Sequence, residues 1–138
     1  MPTLTTKNVE TKSIVVKDAL YKTIPVTNSG VTGVNNTTAG LIKAGTCLAF
    51  LDQQNKYQVT RWNLSGNQGR IDALVVRDVD VPAGNNQTFY IRALVSGVVR
   101  EERILQHYTD DRTNYDERAF IKAKESGILI LPVNEIDY

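Results

Sequence analysis

Two segments constrain what this chain can become more than any others: Ala39-Gly40-Leu41-Ile42-Lys43-Ala44-Gly45-Thr46-Cys47-Leu48 and, further along, Ala73-Leu74-Val75-Val76-Arg77-Asp78-Val79-Asp80-Val81. The first reads as a glycine-punctuated turn feeding a short apolar strand. The second is a β-branched strand closed by acidic residues. No Gly-Lys-Ser/Thr follows the glycines and no helix succeeds them, so they do not form a phosphate cradle. Gly45 ahead of Thr46 instead predicts a tight turn that needs a positive backbone angle.

With 138 residues, the chain is long enough for one domain, or one domain plus an arm, and for one sizeable core. The single cysteine, Cys47, rules out an intrachain disulfide, so packing must supply stability. Its setting, Thr46-Cys47-Leu48-Ala49-Phe50, predicts a small buried hydrophobe rather than a nucleophile. The net charge of +1 gives no electrostatic reason to expect nucleic acid or an acidic membrane as partner. No apolar run approaches the roughly 20 residues that span a bilayer. The stretch Met1 to Lys7 lacks the apolar centre of a signal peptide, which predicts a soluble product made in a cytosol.

The pattern along the chain predicts a mainly β fold with one C-terminal helix, of α+β class. Residues 1–38 read as an extended arm and linker, and residues 39–138 as a β-rich domain. Within the arm, Ser13 to Lys17 and Tyr21 to Val26 are short β-prone segments, and Thr27 to Thr38 is a small-polar loop. Within the domain, Cys47 to Leu51 and Lys56 to Thr60 read as strands around a Gln53-Gln54-Asn55 turn. The apolar run Ala73 to Val76 predicts a strand covered on both faces, and Pro82 to Asn86 a turn. Phe89 to Val95 and Val98 to Ile104 read as a hairpin about Ser96-Gly97. A helix is predicted over about 114–126, with Thr113 as N-cap, Asp116 and Glu117 in the first turn and Gly127 closing it. Tyr115, Ala119, Phe120 and Ala123 supply its apolar stripe. Ile128 to Leu131, halted by Pro132, reads as a buried strand.

The inventory lacks the parts for catalysis, so the chain is not expected to be an enzyme. The one histidine, His107, with Asp110 and Asp111 nearby, reads as part of a loop leading into the helix. One histidine and one cysteine match no zinc spacing. Asp78 and Asp80 share a strand face that a calcium ion would suit, but read better as solvated strand-end charges partnered by Arg77 or Arg100. No catalytic, cofactor or metal residue is assigned. Trp62 and Tyr57 are candidates for a surface or oligomer contact. With the Asn-rich loops, they also define an alternative function, a carbohydrate- or host-surface-binding module.

The chain resembles the phage head decoration proteins, the group typified by the lambda head decoration protein. The resemblance rests on the Ala-Gly-x-x-x-x-Gly-Thr-x-Leu element (Ala39 to Leu48), Asp52, Lys56-Tyr57, and the apolar strand ending Asp78-Val79-Asp80. It continues through Gly97-Val98-Val99 and the helix closing on Ser126-Gly127-Ile128, covering residues 39 to 131. It implies a β-clip-like domain that forms homotrimers on the outer surface of the assembled, expanded capsid and clamps neighbouring major capsid subunits. The longer arm before Gly40 and the polar loop from Trp62 to Gly69 depart from the smallest members. The resemblance also implies that the arm adds a strand to the capsid protein. Ile14, Val15, Val16, Leu20, Tyr21, Ile24 and Val26 are then the capsid-binding residues. Ordering an arm costs about as much as its burial gains, which predicts several arms engaging together from a rigid oligomer.

Overall fold

β-Branched and apolar residues in short runs make this chain a strand former, and strands dominate it. A computed structural model describes residues 13–29, 31, 33–59, 70–104 and 117–132. In chain order the elements are β1 (Val15–Thr27), β2 (Gly40–Ile42), β3 (Cys47–Leu51), β4 (Lys56–Val59), β5 (Ala73–Leu74), β6 (Val79–Val81), β7 (Thr88–Arg100), α1 (Glu117–Glu125) and β8 (Ile128–Leu131). A 3-10 turn, Glu101–Arg103, follows β7. The described residues are therefore mainly β, with one short helix near their C-terminal end.

Hydrogen bonding runs β1–β4–β3–β5–β7, and β7 pairs back onto β1, so five strands close into a small barrel. Strand β8 lies parallel to the C-terminal half of β7, with Gly97 opposite Ile128 and Arg100 opposite Leu131. Strands β2 and β6 form a separate two-stranded sheet. Closure satisfies backbone groups that an open sheet would leave unpaired at its edges.

Two buried clusters follow from the alternation of side chains along these strands. Every strand of the barrel contributes to the first: Ile24 and Val26 from β1, Leu48, Val59, Ala73, Ile91 and Ala93. That cluster fills the interior, and Ile42 and Val81 from the small sheet join it as a lid. The alternate residues Cys47, Leu74 and Leu94 point the other way, where Ala123 of α1 and Ile128 and Ile130 of β8 cover them. Cys47 is fully buried, as its apolar setting predicts. Each fully buried Leu or Ile here, Leu48, Leu74 and Leu94 among them, contributes about 1.5–3 kcal/mol. The strand Ala73–Leu74 is shorter than its apolar run, but Ala73, Leu74 and Val75 are all buried, one layer on each side.

Two expectations need correction. The first concerns the arm. Strand β1 is part of the body, paired with β7 from Val15 opposite Val99 to Thr27 opposite Thr88. Ile14, Ile24 and Val26 are buried in the protein's own core, Val15, Val16 and Tyr21 are half-buried, and only Leu20 is well exposed. The Arg100 N–H and side-chain Nε–H also bind the carbonyls of Ile14 and Ser13 at 2.9 and 2.8 Å. Backbone and side chains already used at home cannot add a strand to a capsid subunit, and no domain boundary falls at residue 38.

The second concerns the hairpin at Ser96-Gly97, which does not form. Residues Thr88–Arg100 run as one strand, because the halves on either side of Gly97 both pair with β1 instead of with each other. Gly97 has φ +147°, and a Cβ there would lie 3.1 Å from both Ala19 Cα and the Asp18 carbonyl oxygen. The glycine thus marks a close approach, not a turn. Opposite it β1 bulges between Lys17 and Tyr21, with Asp18 at φ 58°. The bulge bends the long ribbon so that one end joins the barrel and the other reaches β8.

Other local expectations hold. The chain turns at 52–55, with Asn55 at φ 55°, and Gly45 has φ 98°. Helix α1 places Phe120 and Ala123 inward and leaves Ile121, Lys122, Lys124 and Glu125 outside, and Gly127 ends it at φ 103°. The predicted start of the helix, Thr113 to Asp116, lies outside the described residues.

Two measurements test this arrangement. Gly97→Ala should destabilise the protein by about 1–3 kcal/mol in urea unfolding, since the alanine must adopt a glycine-only angle against fixed backbone. An unchanged midpoint would show that the ribbon yields there. Removing residues 1–27 should abolish cooperative unfolding, because it opens the barrel. A truncated chain that still melts in one sharp transition would restore the arm.

Candidate functional site

The two segments that dominate the sequence meet in the structure. Gly40, Leu41 and Ile42 pair with Val81, Asp80 and Val79. The Gly45 N–H donates to the Val75 carbonyl at 2.7 Å, and the Val75 N–H donates to the Thr46 carbonyl at 2.9 Å. Cys47 and Leu48 then pair with Leu74 and Ala73. Thr46 closes the turn by donating its hydroxyl to the Lys43 carbonyl at 2.7 Å. Asp78 accepts from the Ala44 N–H at 2.8 Å, which ties the acidic end of one segment to the glycine turn of the other. The described partner of Asp78 is therefore backbone, not the arginine expected for it. Asp80 stays exposed beside Leu41.

A buried amide fixes the loop that precedes this junction. Asn28 is 3% exposed and uses its whole side chain. Its Nδ2 donates to the Pro82 and Gly84 carbonyls at 2.8 and 2.9 Å, and its Oδ1 accepts from the Gln87 N–H at 2.9 Å. The main chain repeats the tie, from the Asn28 N–H to the Gln87 carbonyl at 2.9 Å. A fully satisfied buried amide is rigid and specific, and removing it would orphan three backbone groups. The sequence gives no warning of this, since Asn28 stands in a run of interchangeable small polar residues.

A second node gathers at Asp72, whose side chain is only 10% accessible. Its carboxylate accepts from the Phe50 N–H at 2.8 Å, from Arg70 Nη2 at 3.1 Å and from the Ser126 hydroxyl at 3.1 Å. Strand β3 and the end of α1 are thereby held to the entry of β5. A recess of about 380 Å³ lined by Arg70, Lys122, Glu125 and Ser126 opens beside it. Tyr57, a candidate for a surface contact, is half-buried on β4, its ring edge-to-face on Phe50 with centroids 5.1 Å apart. Trp62, the other candidate, lies outside the described residues, as do His107, Asp110, Asp111 and the loop from Asn63 to Gln68.

A third feature lies on the outer face of the barrel. Tyr21, Val76, Arg77 and Arg92 line a recess of about 370 Å³, and the Arg92 guanidinium sits 5.4 Å from the centre of the Tyr21 ring. Alternation in Phe89-Tyr90-Ile91-Arg92 puts Tyr90 and Arg92 on one face, with Ile91 turned into the barrel. That signal is present in the sequence, but without β1 as neighbour it has no meaning there. Among the described residues no three His, Cys, Asp or Glu side chains are grouped to hold a metal ion. No helix among them is long and apolar enough to cross a membrane.

The Tyr57 hydroxyl is pushed above the ordinary tyrosine value of 10.0, chiefly by burial and further by the Asp72 carboxylate. As the pH passes 10.0, the unfolded chain loses this proton before the folded one does, so stability falls. The contribution is complete below 10.0 and disappears as the pH rises through the folded-state value. Tyr57→Phe should therefore flatten part of the alkaline decline in the urea midpoint, and identical declines in the two proteins would refute the assignment. Compared with known proteins, the chain matches no family model and no curated protein, so its functional reading rests on its own residues.

Proposed function

We propose that this chain is a capsid decoration protein of a tailed bacteriophage, a structural and non-enzymatic component of the virion. In this reading it is a homotrimer with a β-clip-like body, seated on the outer surface of the expanded head and clamping neighbouring major capsid subunits. The observation that most supports it is the junction of Gly40–Leu48 with Ala73–Val81. Two of the elements that carry the resemblance to head decoration proteins pair with one another, from Gly40 opposite Val81 to Cys47 opposite Leu74. A motif whose parts meet in space specifies a shared local architecture more strongly than the same residues scattered over a fold. Fold alone does not carry function, so the shell is the partner to test.

The mechanism differs from one based on a long flexible arm. Since β1 belongs to the barrel, a preformed body makes the contact, and little ordering entropy opposes docking. A rigid oligomer that meets a lattice at several points gains from effective concentration: each contact after the first is intramolecular. Free capsid subunits lack that spacing, so the assembled shell is the preferred target.

Purified protein mixed with expanded, undecorated shells of a phage that encodes it should appear as added density on the shell exterior in cryo-electron microscopy. Light scattering of the free protein should give the mass of three chains. Bare shells at saturating protein would overturn the proposal, and a monomeric mass at micromolar concentration would remove the trimer from it.

A further inference from the structure

We propose that the recess formed by Tyr21, Val76, Arg77 and Arg92 binds carboxylate side chains of an acidic polypeptide segment. This inference stands apart from capsid decoration. It rests on the chemistry of the recess, whatever protein supplies the acid.

Arg92 projects from β7 and Tyr21 from β1, and both strands are fixed by pairing along the long ribbon. Tyr21 also packs against the buried cluster beneath α1, so the platform under the guanidinium is rigid. The Arg92 guanidinium lies over the Tyr21 ring, 5.4 Å from its centre, on an exposed side chain that presents a planar N–H fork. That planar fork matches a carboxylate with two parallel hydrogen bonds. Arg77 adds a second cation on the same wall. Neither arginine is ion-paired with a described residue. The adjacent carboxylate, Asp78, is turned to the Ala44 N–H instead. Two arginines lining one recess gain from a shared anion.

The floor of the recess selects among anions. Val76 is apolar and suits the methylene groups of a glutamate side chain. The pair of arginines is no extended basic stripe, and a net charge of +1 gives no field for a nucleic acid backbone. Tyr90, 71% exposed, stands beside Arg92 on the same face of β7. Exposed tyrosine next to arginine is the composition of interface centres in general.

The test is a titration of the full chain, labelled with nitrogen-15, with a hexaglutamate peptide at neutral pH. Saturable shifts should appear at the Arg77 and Arg92 side-chain N–H signals and the Tyr21 amide. Arg77→Gln and Arg92→Gln should each weaken binding about tenfold, about 1.4 kcal/mol. Both side chains are exposed, so unchanged unfolding midpoints should accompany the loss. Binding should fade as salt shortens the Debye length from about 30 to about 10 Å. The proposal falls if the recess signals do not saturate, if inorganic phosphate moves them as well as the peptide does, or if the double variant binds unchanged. It also falls if sedimentation shows an oligomer that the double variant dissolves, since a second copy of this chain would then fill the recess.

Discussion

The pairing of β1 with β7 is the contact on which the rest of this protein depends. It is the longest ladder among the described residues, two strands of 13 residues each, and it joins the beginning of the described chain to its middle. Without it the remaining barrel strands would form an open sheet, and the interior cluster would lose Ile24 and Val26. Two other joints of the barrel are narrow: β5 meets β7 at a single pair, Leu74 with Leu94, and β1 meets β4 at Val26 with Tyr57. A barrel with two such narrow seams keeps its shape because its interior is filled and its long ribbon is bent at one place. That place is the bulge facing Gly97.

Around this ribbon, polar side chains set the positions of the loops. Asn28 ties the exit of β1 to the turn before β7, Asp78 ties the glycine turn to the entry of β6, and Asp72 ties β3 to the end of α1. Each accepts or donates to backbone groups that would otherwise be left unpaired at the barrel's ends, where strands stop and ladder bonds run out. The same economy appears at Gly127, whose carbonyl takes hydrogen bonds from the Gly97 N–H and the Ser96 hydroxyl as the chain passes from helix to β8. Ser96-Gly97, which reads as a turn in isolation, is a docking point for the helix.

These features bear on how such a protein acts on a partner. A chain whose apolar N-terminal residues were free would recognise its target by folding onto it. A chain that has already used them presents fixed groups at fixed spacing. Recognition then depends on complementarity of preset surfaces, such as the Tyr21–Arg92 stack and the exposed Tyr90 beside it. Under the proposed decoration role, affinity would come from multiple simultaneous contacts, not from coupled folding.

Local chemistry made part of this legible from residues alone. Glycine at Gly45 and Gly127, asparagine at Asn55, and the apolar runs at Cys47–Leu51 and Ile128–Leu131 fixed turns and strands, because backbone angles and side-chain alternation are properties of a few adjacent residues. Burial of Cys47 was likewise set by its neighbours. Partner choice was not. Whether Val15–Thr27 served a capsid or its own body, and whether Gly97 turned the chain or admitted Ala19, depended on which distant strand competed best for the same backbone groups. Nor could a list of polar residues single out Asn28 from Ser29 or Asn35, since only the turn at Pro82 to Gln87, brought beside it by the closed barrel, gives that amide its three partners. The sequence by itself determined the strand-forming runs, the turns at Gly45, Asn55 and Gly127 and the helix before Gly127; the tertiary structure alone decided who pairs with whom, and with it whether Gly97 turns, because long-range pairing is settled by the burial of both faces at once.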